Sequence, residues 1–406
     1  MLRPAIARGG LTAPFSAGLI CVTVVILITC ACSGGSASDT DSQTGTSKAQ
    51  GVDPRLASQL QGILDKNREL FAAGGASAAI VIPDEGLWAG ASGIADPSTG
   101  DPVTPKTVFA LGSVTKTFVA ALVLKLSEDG LLRLDDPLAR WLPHFPEANR
   151  ITVRELLNHT SGAFDVSEDP AFLEAQFAHP RQLWKPQRIL SYVGRPLFRP
   201  GADWSYSNTN YILLGLIVER ATGSTVAEEL RRRVLAPAHA EAVYVQGEES
   251  VPAPVMRSQF DVDSDGEADD LSDGTTTIPN TALATAAWTA GGLAATPEAV
   301  ARFGDALFNG PLLAPASLRQ MVDFSAELGK GRGGGLGYGL GISRFEIPGH
   351  DVRGHGGSIP GFRSALWYVA DERMTIGFSW NDAELDPTLV VQPLLDTVTE
   401  HLKGKN

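Results

Sequence analysis

The sequence has 406 residues, of which 43% are hydrophobic and 19% charged, and its formal net charge at pH 7 is −13. This length allows one large domain or two smaller ones, and the hydrophobic content is ample for a core. The negative charge argues against nucleic acid or an anionic membrane surface as a partner.

The amino terminus has the pattern of an export signal. Arg3 and Arg8 precede an apolar run over residues 15–31, and a segment rich in serine and glycine follows at once. All the cysteines of the sequence lie within or directly after this run: Cys21, Cys30 and Cys32. Disulfides, cysteine–zinc sites and thiol catalysis are therefore excluded from the folded part of the chain.

Cys32 follows a small residue at the end of the apolar run, and this arrangement resembles the lipobox of bacterial lipoproteins. We predict a lipoprotein-type signal peptide over residues 1–31 and a lipid on Cys32 that anchors the exported protein at the outer face of the cytoplasmic membrane. Cys30 is the less favoured lipidation site, and plain secretion or an uncleaved anchor is the alternative. Residues 32–52 carry almost no apolar side chains, which predicts a flexible tether.

The first predicted elements after the tether are a helix and a hairpin. Leucine and isoleucine recur at helical spacing over residues 53–73, and glycines follow. Two β-rich runs, Ala76 to Ile82 and Leu87 to Ile94, are separated by a Pro-Asp-Glu-Gly turn and predict the hairpin.

The next predicted helix is apolar on nearly every side, since only Lys125 is polar between Phe118 and Leu126. A helix of this kind is buried in a core. Ser113 and Lys116 lie three residues apart at its start, a spacing that stacks two side chains on one helical face. A buried lysine is either ion-paired or has a lowered pKa, and a neutral lysine can take the proton of a serine nucleophile.

The middle of the sequence, about residues 110–305, predicts helices and loops, and strands return after residue 335. Thr152 and Thr225 each begin a capping box. Phe362 to Val369 and Met374 to Trp380 predict a second hairpin, and a final helix is expected over residues 388–402. The predicted fold class is therefore α+β: an antiparallel sheet built from both chain ends, flanked by terminal helices, with a large helical region inserted.

Two further polar segments are candidates for function. Tyr206 and Asn208 lie in a predicted loop before an apolar helix, where a phenol near an ammonium would have a lowered pKa and an amide could orient a lysine and a substrate. His355 begins a His-Gly-Gly-Ser segment that leads into a strand. Free N–H groups on such a strand edge could bind a substrate amide or an oxyanion.

Together these segments resemble the penicillin-recognising serine hydrolases, which include class C β-lactamases, DD-carboxypeptidases, D-aminopeptidases and related esterases. The resemblance rests on Ser-x-x-Lys, Tyr-x-Asn and His-x-Gly in this order, and it covers roughly residues 53 to 402. Three more segments contribute to it: Leu156 to Gly162, Gly291 to Pro297 and Gly337 to Gly341. It implies a β-lactamase/transpeptidase-like fold and one hydrolase domain over residues 53–403.

The resemblance also implies roles for individual residues. Ser113 would be the acylated nucleophile, and Lys116 and Tyr206 would handle its proton. Asn208 would orient the lysine and the substrate. The backbone N–H groups of Ser113 and Ser358 would form the oxyanion hole.

His355 and Gly357 would join Asn208 and Ser358 in binding substrate. His355 stands where class C β-lactamases have the lysine of Lys-Thr-Gly, and this departure favours peptidases and esterases over β-lactamases. The absence of Gly-x-Ser-x-Gly argues against an α/β-hydrolase.

The predicted function is that of an exported serine hydrolase that cleaves an amide or ester without a cofactor. Its substrate would be a small molecule or a peptide, with peptidoglycan peptides among the candidates. A β-lactamase is the alternative within this class. A catalytically silent lipoprotein that binds wall peptides or a partner protein is the alternative of another class.

An acidic segment over residues 261–269 has the D-x-D-x-D-G opening of a calcium loop. Ser272 occupies the twelfth position, where such loops carry glutamate, so a solvated acidic loop is the favoured interpretation. A calcium site is the alternative, with four candidate ligands: Asp261, Asp263, Asp265 and Asp269.

Overall fold

The computed structural model describes residues 51–405, apart from residues 72, 264, 266–267, 325–334 and 383–385. The predicted signal peptide and lipidation sites, and all but the last two residues of the predicted tether, lie outside these described residues. Among the helices of the described part, none combines the length and the apolar character that a membrane crossing requires.

Helices account for much of the described chain. They are α1 (Pro54–Leu70), α2 (Thr115–Glu128), α3 (Val153–Leu157), α4 (Pro170–Ala178), α5 (Pro186–Leu190), α6 (Asn208–Thr222), α7 (Val226–Leu230), α8 (Thr281–Gly291), α9 (Pro297–Phe308), α10 (Pro315–Met321) and α11 (Thr388–Lys403). The predicted terminal helices are present as α1 and α11. Both predicted capping boxes are formed, since each threonine accepts from the backbone of a glutamate three residues on and that glutamate bonds back.

The strands come mainly from the two ends of the described chain. They are β1 (Gly75–Ile82), β2 (Gly86–Asp96), β3 (Asp101–Pro102), β4 (Phe109–Ala110), β5 (Val243–Val245), β6 (Gln259–Phe260), β7 (Asp269–Asp270), β8 (Leu293–Ala295), β9 (Gly337–Tyr338), β10 (Ser343–Ile347), β11 (His350–Ile359), β12 (Phe362–Val369) and β13 (Met374–Trp380).

The main sheet has the order β3-β2-β1-β13-β12-β11-β10-β9, and each strand pairs antiparallel with its neighbours. The two chain ends meet where β1 pairs with β13, from Ala76 opposite Trp380 to Val81 opposite Thr375. The predicted α+β fold, with one sheet built from both ends, is therefore confirmed. Strands β4, β8 and β5 form a small second sheet at the base of the helical region.

Each face of the main sheet is covered by a different core, because successive side chains of a strand point to opposite faces. On β12, Ala365, Trp367 and Val369 join the core beneath the terminal helices α1 and α11. Leu366, between them, joins the larger core of the helical region. Helix α9 packs so closely on β13 that a side chain at Gly377 would come within 2.2 Å of the Pro297 carbonyl oxygen.

Helix α2 lies at the centre of the helical region. Its residues from Thr115 to Leu124, together with Leu126, are buried, so the prediction of a helix covered on nearly every side is confirmed. Helices α6 and α8 pack against it. The amino-terminal end of α2 is thereby held at the edge of the main sheet, beside β11.

Candidate active site

The turn that carries Ser113 lies against strand β11. Gly112–Val114 form a 3-10 turn before α2, so Ser113 precedes the α-helix that contains Lys116 rather than lying within it. The expected contact is nevertheless made, with Lys116 Nζ 3.1 Å from Ser113 Oγ. Gly112 has a φ of +49°, and a side chain there would lie 2.7 Å from the backbone nitrogen of Ser358. Only glycine allows this close approach.

Lys116 is completely buried, and its amine contacts neutral oxygens rather than a carboxylate. Nζ lies 2.8 Å from Asn208 Oδ1 and 2.6 Å from the carbonyl oxygen of Ala290, in addition to the Ser113 hydroxyl. It also lies over the face of the Tyr206 ring, 4.8 Å from the centroid. Burial lowers the pKa of Lys116 from its usual 10.5 to about 7, a shift that the carboxylate of Asp165 opposes in part.

This geometry suits a neutral amine. A neutral lysine has two N–H donors and one lone pair. The two shorter contacts, to Asn208 and Ala290, are with atoms that can only accept, so they take the two N–H groups. The lone pair then remains for the hydroxyl proton of Ser113. The prediction that desolvation lowers the lysine pKa agrees with this environment.

Tyr206 is half-buried beside the same groups, with its hydroxyl oxygen out of contact with solvent, and its pKa moves in the direction opposite to the predicted one. Burial raises the pKa of Tyr206 above its usual value, although the neighbouring Ser113 hydroxyl acts in the opposite direction. The prediction of a lowered phenol pKa was wrong, because loss of hydration disfavours the charged phenolate and the nearby Asp165 carboxylate adds to this effect. The phenol oxygen has no hydrogen-bond partner among the described residues, so it is a protonated donor that is free to serve another group.

Asn208 connects the lysine to a carboxylate that sequence reasoning missed. It is the first residue of α6, rather than a loop residue as predicted, with Ser207 at the cap position. Its side-chain nitrogen donates to Asp165 Oδ2 at 3.2 Å and to Ser167 Oγ at 3.1 Å. Asp165 Oδ1 accepts from the backbone N–H and the hydroxyl of Ser167. These bonds orient the amide so that its oxygen faces Lys116.

A directional chain of hydrogen bonds runs behind Tyr206. The backbone N–H of Ser207 can only donate, so its 3.2 Å contact makes His159 Nδ1 the acceptor. Neutral His159 then donates from Nε2 to the Tyr338 hydroxyl at 3.2 Å. Tyr338 donates to His355 Nε2 at 3.0 Å, and His355 donates from Nδ1 to the Gly356 carbonyl oxygen at 2.6 Å. The chain thereby determines the tautomers of both histidines.

His355 is therefore a neutral, buried ring with both nitrogens occupied. Burial, assisted by the nearby Lys116, lowers the pKa of His355 to about 4 and that of His159 well below its usual value. Neither nitrogen of His355 remains free for a substrate, which differs from the predicted substrate-binding role. The ring instead supports β11 and Tyr338 from within the core.

The second half of β11 presents a free edge to the Ser113 turn. Strand β10 pairs with β11 only as far as Gly354, and residues 355–359 lie beyond the end of that pairing. A side chain at Gly357 would lie 2.0 Å from the Leu111 carbonyl oxygen, which also accepts from the Ser364 hydroxyl at 2.7 Å. Ser113 and Ser358 line the same cavity. That their N–H groups form an oxyanion hole stays a prediction.

Sequence reasoning did not identify His159, Tyr338 or Asp165 as part of this site. His159 and Tyr338 lie within two of the segments that carried the family resemblance, Leu156 to Gly162 and Gly337 to Gly341, which was the available signal. Asp165 lies in none of them. Its role depends on contact with Asn208, 43 residues away.

The described residues of the acidic segment follow β6, and the last of them, Asp269, begins β7. Ligand oxygens of Asp261, Asp263 and Asp265 all lie within 4.8 Å of one another. Asp261 accepts from the backbone of Asp265, and Asp269 accepts from the backbone of Val262, each at 3.1 Å. Calcium binding by these carboxylates stays a prediction.

Comparison with known proteins agrees with this fold and geometry. Residues 65–398 match the sequence model of the beta-lactamase family. The chain therefore belongs to the beta-lactamase family, and the recognition made from its motifs is confirmed.

Particular relatives include a peptidase, an esterase and an amidase. The chain is 30% identical over 299 residues to D-aminopeptidase from Brucella anthropi, which is 70% of this chain and 51% of that protein. It is 33% identical over 195 residues to esterase EstB from Burkholderia gladioli, which is 45% of this chain and 50% of that protein. The chain thus spans about half the length of these curated relatives.

Among solved structures, D-amino acid amidase from Ochrobactrum anthropi SV3, complexed with D-phenylalanine, superposes with a TM-score of 0.72. The two sequences are 27% identical, and the match covers 87% of this chain and 100% of the amidase chain. This similarity extends across the sheet and the inserted helical region.

Proposed function

We propose that the protein is an exported serine hydrolase that cleaves an amide or ester bond through an acyl-enzyme on Ser113. The observation that carries this proposal is the 3.1 Å contact between Ser113 Oγ and the buried amine of Lys116, whose pKa is about 7. A base with a pKa near the working pH combines proton affinity with availability in the neutral form.

In the first step the lone pair of Lys116 takes the hydroxyl proton while Ser113 Oγ attacks the substrate carbonyl carbon. The carbonyl oxygen gains the negative charge, which the N–H groups of Ser113 and Ser358 would stabilise. Lys116 becomes an ammonium that Asn208 and the Ala290 carbonyl oxygen continue to bind. The Asp165 carboxylate behind Asn208 favours this charged form.

The tetrahedral intermediate then expels the leaving amine or alcohol, which needs a proton. The unpartnered hydroxyl of Tyr206 is a suitable donor, because burial keeps it protonated, and the ammonium of Lys116 can restore its proton. A water molecule next attacks the acyl carbon and gives its proton to the neutral amine. The Ser113 ester breaks, the acid departs, and Ser113 regains its hydroxyl proton.

The alternative functions have less support. A β-lactamase that holds the β-lactam carboxylate with a cation is disfavoured, because His355 is neutral and no described charged side chain lines the cavity beside Ser113. A silent binding protein would gain nothing from burying Lys116 without a direct ionic partner, an arrangement that costs folding free energy. The amidase, peptidase and esterase named above are consistent with an amide or ester substrate.

We further propose that a lipid on Cys32 holds this hydrolase at the outer face of the cytoplasmic membrane. This rests on the position of Cys32 between the apolar run and the polar tether. Small molecules and peptides of the envelope, peptidoglycan peptides among them, would then be within reach of the active site.

A covalent probe tests the catalytic proposal. A fluorophosphonate should label the protein, with loss of fluoride, and peptide mapping should find the adduct on Ser113. Ser113→Ala should abolish labelling and hydrolysis, whereas the control Ser127→Ala, near the other end of α2, should retain both. An adduct on another residue, or hydrolysis by Ser113→Ala, would refute the proposed mechanism.

A further inference from the structure

An apolar cavity of about 180 Å³ opens beside Ser113. Carbon-rich side chains from α4, α8 and the end of β11 line most of it, including Phe172, Leu173, Phe177, Leu283, Ala287 and Ile359. Enclosed engineered cavities of about 150 Å³ with apolar walls accept benzene, and this cavity, which opens to solvent beside the exposed Leu173, has a similar volume. The volume beside Ser113 therefore suits a group of about six carbon atoms.

No charged side chain of the described residues lines this cavity, and its polar members are serines, Gln176 and Asn208. The charged groups that contact Ser113 and Asn208 are already engaged by protein atoms. Lys116 bonds to Asn208, Ala290 and Ser113, and both oxygens of Asp165 accept hydrogen bonds from protein groups.

Arginine from the neighbouring strand does not reach the cavity either. Arg363 pairs in register with Ser358 on one side and with Trp380 on the other. Trp380 belongs to the core beneath the terminal helices. Paired residues of adjacent strands share a face, so the Arg363 side chain lies on the face of Trp380, and Arg363 is not among the residues that line the cavity.

We infer that the preferred substrates of this site have an uncharged, apolar acyl group of about six carbon atoms, which fills this cavity while it is attached to Ser113. The inference rests on the proposed function and adds the substrate class. A free α-ammonium or a carboxylate next to the scissile bond would lose its hydration without gaining a counter-ion, which disfavours both. Neutral carboxylic esters and N-acylated amides meet the requirement, whereas free amino-acid amides and dipeptides do not.

The length of the acyl chain provides the first test. For p-nitrophenyl esters from acetate to octanoate, kcat/KM should rise about fourfold for each methylene that the cavity buries. The rise should stop near hexanoate, where the cavity is full. The leaving group is the same throughout, so the trend reports the acyl side alone.

A matched pair of variants locates the effect. Ala287 is partly exposed and lines the cavity, so Ala287→Leu should occupy the space and reduce the hexanoate-to-acetate ratio of kcat/KM by tenfold or more. Ala171 is exposed on α4 and does not line the cavity. The control Ala171→Leu adds the same atoms there and should leave the ratio unchanged.

Charge is tested with two anilides that differ at one nitrogen. N-acetyl-D-phenylalanine p-nitroanilide should be cleaved at least tenfold faster than D-phenylalanine p-nitroanilide at pH 6.5, where a free α-amine is mostly protonated. Both assays use the same pH, so Lys116 of the free protein has the same protonation state in each. The ratio therefore reports the ammonium of the substrate.

The outcomes separate this inference from the proposed function. A flat chain-length series, or faster cleavage of the free ammonium substrate, in a protein that a fluorophosphonate labels on Ser113 would overturn the inference and leave the function standing. The inference would also be overturned if kcat/KM rose with the size of the leaving group, measured with alkyl acetates, and not with the size of the acyl group. Failure of Ser113 to form any adduct would refute the proposed function and the inference together.

Discussion

Replacing Lys116 with arginine separates the two roles that this residue could have. Arginine keeps a positive charge near Ser113 and has N–H donors for Asn208 and the Ala290 carbonyl oxygen. It cannot lose a proton in a protein. If Lys116 acts as a base, Lys116→Arg should be as inactive as Lys116→Ala, with acylation slowed about a hundredfold or more.

The pH dependence of the wild-type acylation rate gives the size of the Lys116 contribution without any variant. The pKa of Lys116 is lowered to about 7, so the neutral amine forms as the pH rises through 7 rather than through 10.5. Two pH units below the midpoint, at pH 5, about 1% of the amine is neutral. The acylation rate should therefore fall about a hundredfold between a plateau near pH 9 and pH 5.

The assay is the rate of fluorophosphonate labelling under pseudo-first-order conditions between pH 5 and 9. Lys125→Arg is the matched control, because Lys125 lies on the same helix, is partly exposed and pairs with Glu128. It should label at the wild-type rate. Thermal unfolding of each variant checks that the fold is retained.

Two results would refute the reasoning. Rapid labelling of Lys116→Arg would show that charge alone is required. A labelling rate of the wild-type protein that stays constant from pH 5 to 9, or rises only near pH 10, would show that Lys116 is not the group that takes the proton. The second result needs no variant, so the test holds even if arginine does not fit the buried site.

Other predictions follow from the same environment. Lys116→Met should raise the melting temperature at pH 6, with stabilisation on the order of a few kcal/mol. This gain in stability should shrink as the pH rises from 7 towards 10.5. In that range the unfolded wild-type chain binds more protons than the folded one, so the wild-type protein becomes more stable as the pH rises. Asp165→Asn removes a carboxylate that raises the Lys116 pKa, so the midpoint of the labelling profile should move to lower pH. Tyr206→Phe should slow hydrolysis of anilides at least tenfold more than that of p-nitrophenyl esters, because p-nitrophenoxide leaves without a proton; equal losses would contradict proton donation by the phenol. In membrane fractionation, Cys32→Ala should move the protein to the soluble fraction, and retention in the membrane would contradict lipidation there.

The sequence alone determined the local elements of this protein. The hairpin strands predicted over Phe362 to Val369 and Met374 to Trp380 have those bounds in the structure, because their residue types and the polar turn between them act over a few positions. The buried helix α2 was equally evident, since apolar residues occupy nearly every side of it. Ser113 and Lys116 could be paired because neighbours three residues apart meet in any helical turn.

The order of the motifs went further and predicted the family and the assembly of one sheet from both chain ends. Both predictions came from the resemblance to known families, since no spacing in the sequence requires Lys116 to contact Asn208, 92 residues away. The pairing of β1 with β13 likewise joins segments from opposite ends of the chain. Such contacts depend on the whole core.

Only the tertiary structure decided the electrostatics of the site. The predicted fall in the Tyr206 pKa considered its charged neighbour, whereas burial by segments distant in sequence raises that pKa. The lowered pKa of His355 comes in the same way from burial and from Lys116, which is distant in sequence. Its tautomer depends on Tyr338 and, through Tyr338, on His159. Hydration and the direction of a hydrogen bond are set by everything packed around a group, and that packing exists only once the chain has folded.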